Sequence, residues 1–250
     1  MFKGFYNLTS GMLTQQRNLD VVANNMVNIS TAGYKSDRYT SSTFEDVMYS
    51  RVGSMNKENP QEIGRQSYIR ASSMIYTDFQ AGMPEPTGIP LDWAIEGDGF
   101  FAVQKEDGTV AYTRGGNFSV DGAGDLWLPG VGRVLDQEGQ TIRLSTDRVK
   151  GDQNGRIYTE EGDYLATLGV YTFEDNAQLT RDEQGLFVGA QGTAVDAPRV
   201  MWGYLERSNV DMIQQMTEML TSQRALQSAA QLSKMYDQIM TKSTTDLGRL

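Results

Sequence analysis

Two helical stripes at opposite ends of the chain constrain its fold more than any other feature. Phe5, Leu8, Met12, Gln15, Leu19, Val22, Met26 and Ile29 recur in alternating steps of three and four, and of these only Gln15 is polar. An apolar position every 3.5 residues over almost four heptads specifies a helix with one sticky face. The helix is expected to stop before Thr31-Ala32-Gly33, where Gly33 suits the left-handed conformation. At the other end Ser208-Asn209 offers a helix N-cap and Asp211 sits in the first turn. Neither Pro nor Gly then intervenes until Gly248. Ile213, Met216, Leu220, Leu226, Ala230, Met235 and Ile239 form a second stripe, on a helix roughly 50 Å long at about 1.5 Å per residue. Two such helices invite coiled-coil-like pairing with each other, which would bring the chain ends together.

The middle obeys a different rule. Asp107-Gly108, Asp121-Gly122, Glu138-Gly139, Asn154-Gly155 and Glu161-Gly162 separate short β-rich runs such as Phe100-Phe101-Ala102-Val103, Val110-Ala111-Tyr112-Thr113 and Leu168-Gly169-Val170-Tyr171-Thr172-Phe173. Asp-Gly and Asn-Gly between such runs are strong hairpin signals. The predicted fold is therefore α+β: an N-terminal helical segment (1–40), an extended connector with a strand or two (41–85), an inserted all-β domain (86–207) and a C-terminal helical segment (208–250) that packs with the first.

Composition narrows the chemistry. With no His and no Cys, a His-dependent triad, a Cys nucleophile and a zinc site built on either residue are excluded. The formal charge is −10, against nucleic acid as the main partner. Residues 1–40 carry +2, residues 208–250 carry zero and residues 41–207 carry −12, so ends and middle are built for different work. No apolar run approaches the ~20 residues of a membrane span. Residues 1–15 hold one Lys and no continuous apolar run, so no cleavable secretory signal is expected.

Catalytic and ligand motifs do not rise above ordinary turns. Gly97-Asp98-Gly99 lacks the third glycine of a nucleotide loop. Asp121-Gly122-Ala123-Gly124-Asp125 lacks the spacing of a calcium loop and reads as a hairpin turn. Glu160-Glu161 and Asp182-Glu183 supply carboxylates for glycosidase chemistry, but nothing sets two of them across a cleft. Trp93, Trp127 and Trp202 could stack on sugars, whereas a large aromatic in a strand run more often fills a core. No catalytic residue, cofactor or metal is expected. Asn24, Asn25 and Asn28 remain open between a helix fraying at its end and polar contacts that fix register between packed helices.

Ala23-Asn24-Asn25-Met26-Val27-Asn28-Ile29-Ser30-Thr31-Ala32-Gly33-Tyr34-Lys35 resembles the ANNxANxxTxGYK signature of flagellar rod and hook proteins. Phe44-Glu45-Asp46, Leu91-Asp92-Trp93-Ala94-Ile95-Glu96-Gly97-Asp98-Gly99-Phe100-Phe101, Tyr112-Thr113-Arg114-Gly115-Gly116-Asn117-Phe118 and Ser208-Asn209-Val210-Asp211 with Gln223-Arg224-Ala225 resemble further family motifs, in the family's order. Residue 93 is Trp where the pattern has a small or β-branched residue. The resemblance implies a structural subunit of the flagellar basal body, most like the distal-rod protein or its proximal neighbour. Such a subunit leaves through the flagellar export apparatus without a cleaved signal, assembles with copies of itself and with other rod and hook subunits into a helical tube around the channel, and transmits torque. It implies an assembly interface from the two stripes together with Asn24, Asn25, Asn28, Gly33, Tyr34, Asn209, Val210 and Arg224. The alternative from the residues alone is a secreted β module that binds cell wall or glycan.

Overall fold

The structure, a computed structural model, describes residues 2–43, 47–51, 61–66, 70–144, 146–182, 184–189 and 191–248. The Phe44-Glu45-Asp46 motif and Glu183 lie outside the described residues. The chain forms two compact units. One comprises Met1–Met26, Asp37–Thr77 and Met212–Leu250, the other Val27–Ser36 and Asp78–Asp211.

The first unit holds both long helices, α1 (Phe2–Val27) and α2 (Met212–Leu247). Helix α1 ends earlier than its apolar row suggests, because the chain turns at Asn28, where the Thr31 N–H donates to the Asn28 carbonyl at 3.1 Å. Helix α2 begins after Asp211. Asn209, expected as a cap, spends its side chain elsewhere, as described below. Within the segment read as a connector, β1 (Asp37–Thr43), β2 (Val47–Arg51), β3 (Gln61–Gln66) and β4 (Arg70–Thr77) form two antiparallel ladders, β1 with β4 and β2 with β3. Each ladder carries one register shift, at Thr40/Ser41 and at Tyr49/Ser50. Met74, Ile75 and Tyr76 are consecutive and exposed, so side chains on both faces of the β1–β4 ribbon meet solvent. Two-stranded ribbons are marginal by themselves.

The second unit is built from short strands. In chain order they are β5 (Pro84–Pro86), β6 (Trp93–Ile95), β7 (Phe100–Lys105), β8 (Val110–Thr113), β9 (Ser119–Val120), β10 (Leu126–Leu128), β11 (Gly132–Val134), β12 (Val149–Gly151), β13 (Arg156–Thr159) and β14 (Tyr164–Thr167). Then follow β15 (Val170–Thr172), β16 (Thr180–Arg181), β17 (Phe187–Val188), β18 (Thr193–Ala194), β19 (Val200–Trp202) and β20 (Tyr204–Glu206). Strand β7 organises the largest sheet: it pairs with β8 along one edge and with β11 and β15 along the other. Its run Phe100-Phe101-Ala102-Val103 is buried throughout, and the twofold period divides it between two cores. Phe101 and Val103 join Trp93, Leu126, Val134, Ile142 and Leu168, while Phe100 and Ala102 join Tyr112, Leu135, Leu179 and Phe187.

The connecting turns share one design. Gly108, Gly124, Gly139, Gly155, Gly162 and Gly185 all have positive φ, and each donates its N–H to the carbonyl three residues back. The residue accepting that bond donates its own N–H to the residue after the glycine. This is the three-residue hairpin that closes on a left-handed glycine. At Asp121, Asp136 and Asp182, which occupy the first position, Oδ1 accepts the N–H groups two and four residues on, whereas Asp152 Oδ1 accepts the Gln153 N–H at 2.6 Å. The calcium-like stretch is thus a hairpin turn, with the left-handed glycine at Gly124 rather than Gly122. Asp182 also forms an ion pair with Lys105.

Trp93 is fully buried, and the departure it represents has a counterpart in Gly151: a β-carbon there would come within 2.0 Å of the indole ring. Trp127 is half-buried and Trp202 exposed, its Nε1 donating to the Pro90 carbonyl at 2.8 Å. Among the described residues no helix is long and apolar enough to cross a membrane, and no cluster of acidic residues is arranged to hold a metal ion.

Candidate assembly interface

Helices α1 and α2 lie antiparallel in the first unit, and a simple register relates them. Asn18 Nδ2 donates to Ser222 Oγ at 2.9 Å and to Glu218 Oε1 at 3.4 Å. Asn25 Nδ2 donates to Gln215 Oε1 at 3.2 Å. At the far end Tyr236 crowds Gly4, where a β-carbon would come within 2.7 Å of the phenolic oxygen. The pairs 4/236, 18/222 and 25/215 share one sum, 240. Gly4, Gly11, Asn18 and Asn25 follow each other at intervals of seven, and Gly4, Asn18 and Asn25 meet the partner helix.

This seam is polar and small. Asn25 is 1% exposed, and besides Gln215 it bonds the backbone of Asp37: Nδ2 donates to the carbonyl at 2.7 Å and Oδ1 accepts the N–H at 2.9 Å. The asparagine thereby ties α1 to α2 and to the first residue of β1. Of the two readings of Asn24, Asn25 and Asn28, register-fixing contact describes Asn25. Asn24 is exposed on the helix, and Asn28 is half-buried in the turn, its Oδ1 accepting from Thr31 Oγ1 at 3.2 Å.

The expected stripes are divided by this arrangement. Val22 is buried at 2% exposure, with Val21 and Thr14 beside the seam, and Leu8, Met12, Leu19, Met26, Leu226 and Ala230 are half-buried. Ile29 is half-buried beyond the end of α1. Phe5, Ile213, Met216, Leu220, Met235 and Ile239 are exposed, Ile213 at 79%, and Arg224 is exposed among them. The reason is geometric: Ile213 and Gln215, like Leu220 and Ser222, differ by two residues, about 200° around the helix, so Ile213 and Leu220 point away from the seam. Hydropathy marks the outer row, but internal pairing uses the inner one. Sequence reasoning missed Gly4, Gly11, Asn18, Gln215, Ser222 and Tyr236. The seven-residue spacing of the two glycines and two asparagines was the available signal.

Gly33, Tyr34, Asn209 and Val210 belong to the second unit. Gly33 has φ +68°, and a β-carbon there would sit 2.2 Å from the backbone of Arg114 and Gly115. Tyr34 is buried, with the Arg181 guanidinium 4.5 Å above its ring. Asn209 accepts the Ser36 N–H at 2.7 Å and donates to the Asp78 and Gln80 carbonyls at 2.8 and 3.1 Å. Val210 is half-buried beside it. Lys35, between Gly33 and Ser36, is buried, and burial pulls its ammonium below the usual lysine range against the opposing attraction of Glu206.

Three family models match along the chain. The model described as flagella basal body rod protein matches residues 5–35, that of the flagellar hook protein FlgE/F/G D1 domain matches 94–222, and that of the flagellar basal body rod FlgEFG protein C-terminal matches 202–247. The chain is 32% identical to the flagellar basal-body rod protein FlgG of Bacillus subtilis, over 96% of this chain and 97% of that protein. It is 30% identical to FlgG of Borreliella burgdorferi over 90% and 91% of the two chains. It is 29% identical to the rod protein FlgF of Mesorhizobium japonicum over 94% and 93%.

Proposed function

The chain belongs to the flagellar basal-body rod and hook family and is a structural rod subunit of the basal body rather than an enzyme; from that premise we propose how it assembles. Copies pack into a helical tube around the export channel and carry torque from motor to hook. Their terminal helices pack coiled-coil-like against those of neighbouring copies, and other rod and hook subunits continue the tube at either end. The subunit reaches this place in the periplasm or cell envelope through the flagellar export apparatus without a cleaved signal. The likeness to FlgG over nearly the whole chain supports the distal-rod position.

One observation carries this reading. The helix pair closes on asparagine, serine and glycine and leaves Ile213, Met216, Leu220, Met235 and Ile239 in solvent. A lone protein has little reason to hide its polar residues and display an apolar row, whereas a subunit awaiting identical neighbours does. Contacts between unlike faces, repeated with a rotation that does not close, build filaments rather than rings.

Quantitative mass spectrometry of detergent-extracted basal bodies tests it. The wild-type chain should be present in several copies per body. A double variant, Ile213→Asp with Leu220→Asp, should keep its helical circular dichroism yet be missing from basal bodies. Leu19→Asp with Val22→Asp is less informative, because Val22 is buried within the subunit itself. Normal incorporation of the Ile213/Leu220 variant would refute the outer-row interface.

A further inference from the structure

Buried charge is scarce in the second unit, and three of its buried ionic side chains meet at one point. Glu206 Oε1 lies 2.5 Å from Lys35 Nζ, and Oε2 lies 3.1 Å from Arg114 Nη1, all three residues being at most 2% exposed. The same Oε1 accepts the Gly82 N–H at 2.8 Å. Lys35 Nζ also donates to the Gln80 carbonyl at 2.7 Å, and Arg114 Nη2 to the Gly97 carbonyl at 2.5 Å. The backbone carbonyl of Glu206 accepts the Gly33 N–H at 2.7 Å, and the Arg207 N–H donates to Met83 at 3.0 Å. Three residues on, Asn209 binds Ser36, Asp78 and Gln80.

These partners have a pattern. The chain leaves the second unit after Ser36, returns at Asp78 and leaves again after Asp211. Residues 206–209 therefore hold both earlier crossings, 33–36 and 78–83, through bonds that span 124 to 173 residues of sequence. One carboxylate serves two buried cations. Were 206–209 undocked, Lys35 and Arg114 would lose the carboxylate that neutralises both. A buried cation deprived of its carboxylate is strongly unfavourable, so Lys35 would seek water and draw 33–36 out with it.

We propose that residues 206–209 are a closing latch: the stretches 33–36 and 78–83 take their fixed places in the second unit only when Glu206 and Asn209 dock. This device belongs to the single chain and does not depend on the assembly proposed above.

Amide hydrogen exchange on the full-length chain tests it, comparing wild type with Glu206→Gln and Asn209→Ala. The decisive probe is the Gly33 amide, whose acceptor is the Glu206 backbone carbonyl and survives both substitutions. In both variants the Gly33 amide should exchange about tenfold faster or more, while the Leu126 and Leu135 amides of the β core stay within about twofold of wild type. Equal acceleration of Gly33, Leu126 and Leu135 would mean that the cluster is merely part of one cooperative core and would overturn the latch. An unchanged Gly33 rate would overturn it too. Asn209→Ala leaves the buried charges intact and keeps the test available if Glu206→Gln does not fold.

Discussion

Replacing Asn25 with alanine isolates what the polar seam contributes. The asparagine makes two hydrogen bonds to the backbone of Asp37 and one to Gln215, whose side chain is itself buried. Alanine removes all three and leaves their partners facing a methyl group. At about 1 kcal/mol net per bond the loss is about 3 kcal/mol. Asp37 is half-buried, so water recovers part of its share and the expected cost falls to about 2 kcal/mol. Two optical signals report the two units separately, since both long helices belong to the first and all three tryptophans to the second. In urea, the transition followed by circular dichroism at 222 nm should move by the full amount. Tryptophan fluorescence should move less. Asn25→Asp keeps an acceptor for the Asp37 N–H but cannot donate, and should cost at least as much as alanine. A circular-dichroism midpoint shifted by less than the equivalent of about 0.5 kcal/mol would refute the claim that Asn25 holds the seam.

Other substitutions probe the same logic. Gly11→Ala should stabilise the isolated chain by about 0.5–1 kcal/mol, because a β-carbon there meets nothing within 4 Å and alanine favours the helix; a lowered melting temperature would show that the position is not open. Gly33→Ala combines a positive φ with a backbone collision and should cost about 2–4 kcal/mol in thermal melts, so a neutral result would show that the turn repacks freely. Backbone and side-chain hydrogen bonds hold the Asp107 and Asp121 carboxyls below the usual carboxylate range. Their folded values being depressed, the stabilisation they give is complete above the unfolded value and disappears as pH falls through the folded one. Fluorescence-monitored stability should therefore decline as pH falls through and below the ordinary carboxylate range, and replacing both residues with asparagine should flatten that decline; an unchanged slope would rule these two residues out as its source.

How much of this was legible in the residues depends on which physical signal each element emits. The strand runs around Phe100, Val110, Leu126 and Val170 were readable because the glycine turns between them are local, decided by a few residues' own backbone chemistry. Even so, the Asp121-Gly122 dipeptide marks the turn without showing that Gly124 is the glycine that must be left-handed. The long helices were readable from their 3.5-residue rows, but the face that pairs within the chain was not. A stripe of Ile, Met and Leu announces burial without saying whose atoms do the burying. Asn18 and Ser222 look like ordinary surface residues until the partner helix is known. The Lys35–Arg114–Glu206 cluster was silent because its members are scattered over 171 residues, and no periodicity links them. Trp93 was an oddity in the motif for the same reason, its accommodation lying at Gly151.

The two helices also differ in length. Helix α1 has 26 residues and α2 has 36, and in their shared register Val27 stands level with Ile213 while Phe2 stands level with Gln238. One end of the pair is thus flush, and at the other α2 continues nine residues, about 13 Å, past the level of Phe2. A body cut this way resembles a stave prepared for a lap joint. Its projecting end, which carries Ile239, has no counterpart at the flush end of the same copy. If copies join end to end, unequal helix length alone gives the row a direction, before any side chain has chosen its neighbour.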